Sequence, residues 1–254
     1  MLIPQSFRKK LSAFWEDVLL RQLELHFRRK YSRTWRRGAE APHFFDQRTT
    51  FFHLGYGSET RPLYCLARAF YTAEILRKED VVLDIGCGDG FFSSRFYAPL
   101  CAHVDAIDIE LSPLSNGKYK QSVSNLRYRQ QDAVNDPFPE SSYDVIAWDG
   151  ALGHFAPDTT AKMMKKIAAA LKPDGIFVGS ESLGKEGSDH LQFFNSAAEL
   201  EVVMAPYFRY AFSKTLDYVI PGGIRRRETY WRCSQTLERL DEVAWSTSVE
   251  NSET

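Results

Sequence analysis

The stretch Val81-Val82-Leu83-Asp84-Ile85-Gly86-Cys87-Gly88-Asp89-Gly90-Phe91-Phe92 is where this 254-residue chain passes from strand to helix. The apolar run Val81–Ile85 predicts a short buried strand. Three alternate glycines follow, and then a helix from Phe91. Glycine lets a backbone turn sharply and lets a ligand approach with no Cβ in the way. The start of a helix adds unpaired N–H groups that suit an electron-rich ligand. The spacing is Gly-x-Gly-x-Gly, not the Gly-x-Gly-x-x-Gly of dinucleotide binders. Asp84 stands two residues before the first glycine, placed to meet a cationic amine rather than a pyrophosphate. Asp108 closes the next strand, where an acidic side chain can accept hydrogen bonds from ribose hydroxyls.

Downstream, strand and helix alternate. Val104–Ile109, Leu126–Gln131 and Tyr143–Asp149 read as strands. Asp158–Leu171 reads as a helix ended by Lys172-Pro173-Asp174-Gly175, and Gly175–Glu181 as a fifth strand. This order implies a parallel sheet with helices on both faces. The pattern then breaks. Arg209–Val219 and Glu228–Ser234 are strands joined through Pro221-Gly222-Gly223 and Arg225-Arg226-Arg227, with no room for a helix, so they must pair antiparallel.

Upstream, a helix is expected to start at Ser58-Glu59-Thr60-Arg61-Pro62, capped by Ser58 or Thr60, and to run to about Lys78. Residues 36–58 are loop-like and rich in Gly, His and aromatics. Residues 3–35 place Leu11, Phe14, Trp15, Val18, Leu19 and Leu25 at helical spacing opposite a charged face. Such a helix either packs on its own domain with a solvated basic face, or lies on a partner or an anionic membrane surface. Three zones result: a basic helical arm and aromatic loop over 1–58, a main domain over 59–236, and a polar tail over 237–254.

Bulk composition narrows the function classes. Hydrophobic residues make up 44% of the chain, enough for one large core, and the net charge is −1. The overall field therefore does not point to nucleic acid, although residues 1–40 hold ten Lys or Arg against four Asp or Glu. Cys65, Cys87, Cys101 and Cys233 form no Cys-x-x-Cys pair, so neither a zinc site nor a disulfide framework is expected. Charged residues interrupt the first apolar segment, so no signal peptide is expected, and nothing approaches the length of a membrane span. A cytoplasmic protein, monomeric or homodimeric, is expected.

With these motifs in order, residues 79–234 resemble the class I S-adenosylmethionine-dependent methyltransferases. Val82–Gly90 is similar to that family's first motif and Asp108 to its ribose-binding acid. Gln131-Asp132-Ala133 is similar to the segment after the third strand. Asp144–Trp148 and Leu171–Gly175 resemble the later motifs. The resemblance implies a Rossmann-like α/β fold: a seven-stranded sheet, mostly parallel, with an antiparallel C-terminal hairpin, helices on both faces and an N-terminal helical extension. It implies that S-adenosylmethionine is the cofactor and S-adenosylhomocysteine the product. Asp84, Gly86, Cys87, Gly88 and Gly90 would hold the methionine moiety, Asp108 and Ile109 the ribose, and Asp132 and Ala133 the adenine. Asp149 and Gly150 would complete the cofactor site.

Methyl transfer from a sulfonium is an in-line displacement, so the protein must align the acceptor and remove its proton. The reacting edge of such a sheet lies beyond its fourth and fifth strands. His154 is the expected base there, with His190 and Glu181 as further candidates. Asp149 and Glu181 end adjacent strands and are the two residues a metal would use, but two carboxylates are a thin ligand set and no metal is expected. The chain has neither an Asn-Pro-Pro-Tyr or Asp-Pro-Pro-Tyr segment after strand four nor a Pro-Cys nucleophile. It therefore does not resemble the adenine or cytosine methyltransferases. A small-molecule acceptor is expected, with a hydroxyl favoured over an amine and, by resemblance alone, a sugar, glycan or lipid precursor. His53, Tyr56 and Arg225 are the expected acceptor contacts. Two alternatives stay open: an RNA methyltransferase using the basic arm, and a cofactor-binding interaction module without catalysis.

Overall fold

The computed structural model describes Trp15, Val18, Leu19 and Gln22, and then residues 61–88, 90–109, 123–185, 190–220 and 224–242. Two compact units are present, residues 1–43 and 44–254. In the first, the four described residues are helical, with Trp15 and Leu19 exposed. The rest of the arm, and the acceptor candidates His53 and Tyr56, lie outside the described residues.

The second unit opens with α1 (Arg61–Ala73) and β1 (Val81–Ile85). It continues through β2 (His103–Asp108), β3 (Leu126–Gln130), β4 (Tyr143–Asp149), α2 (Pro157–Ala170) and β5 (Leu171–Leu183). It closes with α3 (Ala197–Met204), β6 (Tyr210–Ile220), β7 (Ile224–Ser234) and α4 (Glu238–Glu242). The seven strands form one sheet in the order β3-β2-β1-β4-β5-β7-β6. The first five are parallel, and β7 runs antiparallel to both β5 and β6. This is the Rossmann-like methyltransferase architecture expected from the sequence.

Strands buried on both faces read as continuous apolar runs, and β1, β2 and β4 do so because helices cover each side. Val82, Val104, Ala106, Val145, Ala147 and Val178 point to one face and join the core under α1. Leu83, Ile85, Ile107, Ile146, Trp148 and Phe177 point to the other, with Met163, Met164 and Ile167 of α2 and with Trp231. The two-residue period of a strand thus splits each motif between two cores. Each core carries part of the site.

The structure moves several expected boundaries. The helix after the glycines is not regular: it passes into a π-helical turn, Ser93–Tyr97, and a 3-10 turn, Ala98–Leu100. Lys172-Pro173-Asp174-Gly175 does end α2, but Leu171 already pairs with Tyr143 across a register shift, so β5 starts before the turn residues rather than after them. Arg225–Arg227 belong to β7 instead of linking two strands, because Val219, Tyr218 and Asp217 of β6 pair with them. Two helices lie where none is expected. In α3, Ser196 accepts from the Glu199 N–H at 3.3 Å while the Glu199 carboxylate accepts from the Asn195 N–H at 2.8 Å. That is a reciprocal cap of the kind the sequence Ser196-Ala197-Ala198-Glu199 encodes. The other is α4, in the stretch assigned to the tail, and it buries Arg239 and Leu240.

Arg239 explains why α4 is held. Its guanidinium donates to the Ile75 carbonyl at 3.0 Å and pairs with Asp80 just before β1, both partners almost wholly buried. Among the described residues no helix is long and apolar enough to cross a membrane. Removing one partner of a buried ion pair leaves an uncompensated charge, which costs about 3–5 kcal/mol. Arg239→Ala should lower stability by that order in urea denaturation, and adding Asp80→Asn should recover part of the loss. Strictly additive losses would show that the two side chains act independently.

Candidate active site

The site begins with how the turn after β1 is fastened. Gly86 N–H and Cys87 N–H both donate to the Ile107 carbonyl, at 2.9 and 3.1 Å. Gly88 N–H donates to the Asp108 carboxylate at 2.9 Å. The two expected motifs, glycine turn and strand-end acid, are therefore one hydrogen-bonded unit. Gly86 adopts φ of +69°, a conformation only glycine adopts freely, and a Cβ there would project into open space. That exposed backbone beside a strand-end carboxylate could cradle a nucleoside-bearing ligand.

Beneath the turn, on the α1 face, a row of polar side chains crosses four adjacent strands: Asp84 of β1, Asp149 of β4, Ser180 of β5 and Glu228 of β7. All but Asp149 are buried as whole residues, and Asp149 keeps its Oδ2 enclosed. Glu228 is matched twice. Arg68 of α1 donates to its Oε1 through Nε at 2.8 Å and also through Nη2, and Arg226 donates to its Oε2 at 3.1 Å. Arg68 lies so close over Gly150 that a Cβ there would collide with its guanidinium, and Gly150 has φ of +60°.

The other two acids have less compensation. Burial pushes the Asp84 carboxyl up to about 7, against a hydrogen bond from Ser93 and with reinforcement from Asp108. Burial also pushes Asp149 up to about 7, opposed by Arg68 and Ser180 and reinforced by Asp84 and Glu228. Two carboxyls raised toward neutrality by burial, beside the exposed Gly86, suit a cationic ligand. The methionine end of S-adenosylmethionine, with its ammonium and sulfonium, fits this donor set.

Glu181 turns to the opposite face, as its neighbour Ser180 pairs in register with Asp149. There its Oε2 accepts from Gly153 N–H at 3.0 Å and its Oε1 from Ser182 N–H at 3.0 Å. Burial raises its carboxyl, against those bonds. Asp149 and Glu181 thus do not face one point, which corrects the reading of them as a potential metal pair. Among the described residues no group of three or more His, Cys, Asp or Glu could hold a metal.

Gly153 sits in a 3-10 turn, Leu152–His154, that carries the expected base. The segment after residue 189 is stitched onto this turn. Leu191 and Gln192 N–H donate to the Gly153 carbonyl at 2.7 and 3.2 Å, and Gln192 Nε2 donates to the Leu152 carbonyl at 2.9 Å. The two histidines singled out in the sequence, 36 positions apart, end up stacked, with ring centroids 4.4 Å apart and planes at 28°.

The remaining expected residues divide. Asp132 spends its carboxylate on its own turn, accepting from Val134 N–H at 2.8 Å and from Asn135 Nδ2 at 2.7 Å. Its slight burial would raise that carboxyl, but these bonds and Lys166 hold it below the usual range. Ala133 offers its carbonyl to Lys166 Nζ at 2.6 Å. Ile109 is exposed just past β2, and Arg225 is exposed on β7 close to the hairpin turn. Cys87 is buried. Arg68, Tyr97, Ser93 and Glu228 were not anticipated. A lone Arg on a helix face or a Glu in a basic run carries no motif, and only the register of β5 with β7 brings Glu228 under α1.

Comparison with known proteins agrees with this geometry. Residues 82–175 match the family model described as a methyltransferase domain. The uncharacterized methyltransferase YcgJ of Bacillus subtilis is 37% identical over 109 residues, 42% of each chain. The N-terminal Xaa-Pro-Lys N-methyltransferase 1 of Rattus norvegicus is 32% identical over 108 residues, 41% of this chain and 48% of that one. The chain thus spans less than half the length of these curated relatives. Among solved structures, YcgJ superposes with a TM-score of 0.50 at 18% identity, covering 66% of this chain and 96% of that one. The [4+2]-cyclase SpnF superposes with a TM-score of 0.52 at 13% identity, covering 65% and 79%. A cyclase on the same scaffold shows that fold alone does not set the reaction. The family match, by contrast, runs over the glycine turn, the strand-end acid and β4, so that residues 82–175 of this chain are similar in sequence to a methyltransferase domain.

Proposed function

We propose that the protein transfers the methyl group of S-adenosylmethionine to a small-molecule acceptor, and that the group methylated is a hydroxyl on a sugar, glycan or lipid precursor. The observation that carries methyl transfer is the union of the open Gly86 turn with Asp108, set over two poorly compensated buried acids. When bound, the cofactor supplies an electrophilic methyl on a sulfonium. Gly86, Cys87, Gly88 and Gly90 present backbone to the methionine end, with Asp84, Asp149 and Gly150 beneath it. Asp108 and Ile109 take the ribose. Ala133 and Asp132 flank the adenine, Asp132 by shaping the turn rather than by a free carboxylate.

His154 serves as the general base. It lies just past β4, half-buried, in a turn that Glu181 fixes through the Gly153 N–H, and the stacked His190 restrains its ring. Glu181 thus acts by placement. The ring wall continues through Phe193, edge-on to His190 at 5.9 Å, and the exposed Leu191, which suits an acceptor with an apolar face. His53, Tyr56 and Arg225 are assigned to the acceptor's polar groups.

An amine acceptor is the second reading. It is favoured by the N-terminal Xaa-Pro-Lys N-methyltransferase relatives, which are 32% and 31% identical over 41% of this chain. The same base would remove an ammonium proton before transfer.

The deciding experiment measures S-adenosylhomocysteine release from full-length protein and S-adenosylmethionine. A glycan and small-molecule extract, a peptide with a free N-terminal amine, and total RNA are the three arms, each with and without EDTA. Product in the extract arm alone, insensitive to EDTA, is expected; product only with peptide or RNA would replace the acceptor class. Asp108→Ala should weaken cofactor binding roughly tenfold to a hundredfold, the worth of lost charged hydrogen bonds, as read by calorimetry. His154→Ala should lower turnover by roughly a hundredfold or more and leave cofactor affinity intact. Unchanged turnover would remove His154 as the base.

A further inference from the structure

Asp149 sits at the centre of a cluster that the proposed cofactor contacts do not use up. The Tyr97 and Ser180 hydroxyls face its carboxyl, from the π-helical turn and from β5, and Thr72 of α1 lies on the far side of Tyr97. Thr72, Tyr97 and Ser180 are each 0% exposed. The Tyr97 and Ser180 hydroxyls interact with the Asp149 carboxyl and Thr72 with Tyr97, yet among the described residues neither these hydroxyls nor Asp149 Oδ2 makes a hydrogen bond of full geometry. Three enclosed hydroxyls and the carboxylate's own Oδ2 form a polar cluster whose hydrogen bonding the described residues leave incomplete.

The charged neighbours can be counted element by element. Arg68 of α1 opposes the Asp149 charge but is already engaged by Glu228, while Asp84 of β1 and Glu228 of β7 add to it. Asp84 in turn faces Asp108 of β2 and accepts from Ser93. Burial, with Asp149 and Asp84 nearby, pushes the Tyr97 phenol well above its ordinary value, so Tyr97 stays protonated and can only donate toward the carboxylate. Among the described residues the balance at the β1 and β4 ends is negative whenever Asp149 is ionised.

S-adenosylmethionine carries one more positive charge than S-adenosylhomocysteine, because the sulfonium becomes a neutral thioether on transfer. We propose that Asp149, framed by Tyr97 and Ser180 beside Asp84, is the specificity-determining group that makes this site prefer the cationic cofactor to its neutral product. This rests on the methyltransferase reading, and it adds a device for product release: the attraction vanishes with the methyl group. The preference depends on pH with a definite sign. Below about 7 the two acids hold protons and offer little charge, so the preference weakens; above it they are ionised and the preference is full.

Calorimetric titration of the full chain with each compound tests this. In the unaltered protein, the ratio of product Kd to cofactor Kd should rise by about threefold to tenfold between about pH 5.5 and about pH 7.5, with cofactor binding releasing protons at the lower end. Asp149→Asn, which keeps the shape, should give a small ratio that no longer changes with pH. Tyr97→Phe should move the midpoint of the change upward by removing a donor to the carboxylate, and thermal melts of both variants check folding. Should either variant fail to fold, the pH series on the unaltered chain still decides. A ratio insensitive to pH, or one that Asp149→Asn leaves as it was, overturns the proposal while cofactor binding stands. Absence of binding by either compound at every pH overturns the cofactor reading itself, and this proposal with it.

Discussion

Three backbone N–H groups at the end of β1 donate to the end of β2: two to the Ile107 carbonyl and one to the Asp108 carboxylate. Those bonds fix the glycine turn against its neighbouring strand and leave Gly86 exposed, while Tyr128 packs against Gly90. A turn tied this way cannot relax into the space above it, so the open ground over Gly86 is a property of the fold and not of a loose loop. The acid that receives Gly88 also stands where a sugar would lie. Positions of Asp84, Asp149 and the His154 turn all follow from the strands this junction orders.

The sheet then distributes chemistry by face. Residues at alternating positions of β4 and β5 go to separate cores, so Asp149 and Ser180 join the polar row under α1 while Glu181 turns away to secure Gly153. One face gathers uncompensated acid beside the cofactor turn. The other arranges imidazole and aromatic rings where an acceptor would approach. On the proposed reading, cofactor and acceptor would be handled on opposite sides of a single strand.

Much of this was legible in the residues, and the remainder was illegible for physical reasons. The succession of strands and helices and the antiparallel end follow from apolar runs and from a connection too short for a crossover. Asp84, Asp108 and the glycines announce themselves through spacing. His154 and His190 were both singled out, but nothing in a one-dimensional pattern places two rings 36 positions apart in a stack. Asp149 and Glu181 looked like partners because they end adjacent strands, and a one-residue offset in register put them on opposite faces. Arg68 and Glu228 were invisible because their pairing spans 160 positions and depends on β7 returning beside β5. The cap at Ser196 was readable and went unread; the Ser196 and Glu199 side chains supply its two halves.

The π-helical turn at Ser93–Tyr97 has a consequence for how this segment can vary. Such a turn amounts to one residue more than a regular helix needs, and each residue rotates the rest of the helix by about 100°. Tyr97 reaches Asp149 because of that surplus. Loss of a single residue between 93 and 96 would let the helix close into its ordinary form. It would also swing the phenol out of the polar row. Related chains can therefore differ here by one insertion or deletion with little change in fold, and yet differ in whether the acid at the end of β4 has an aromatic hydroxyl beside it.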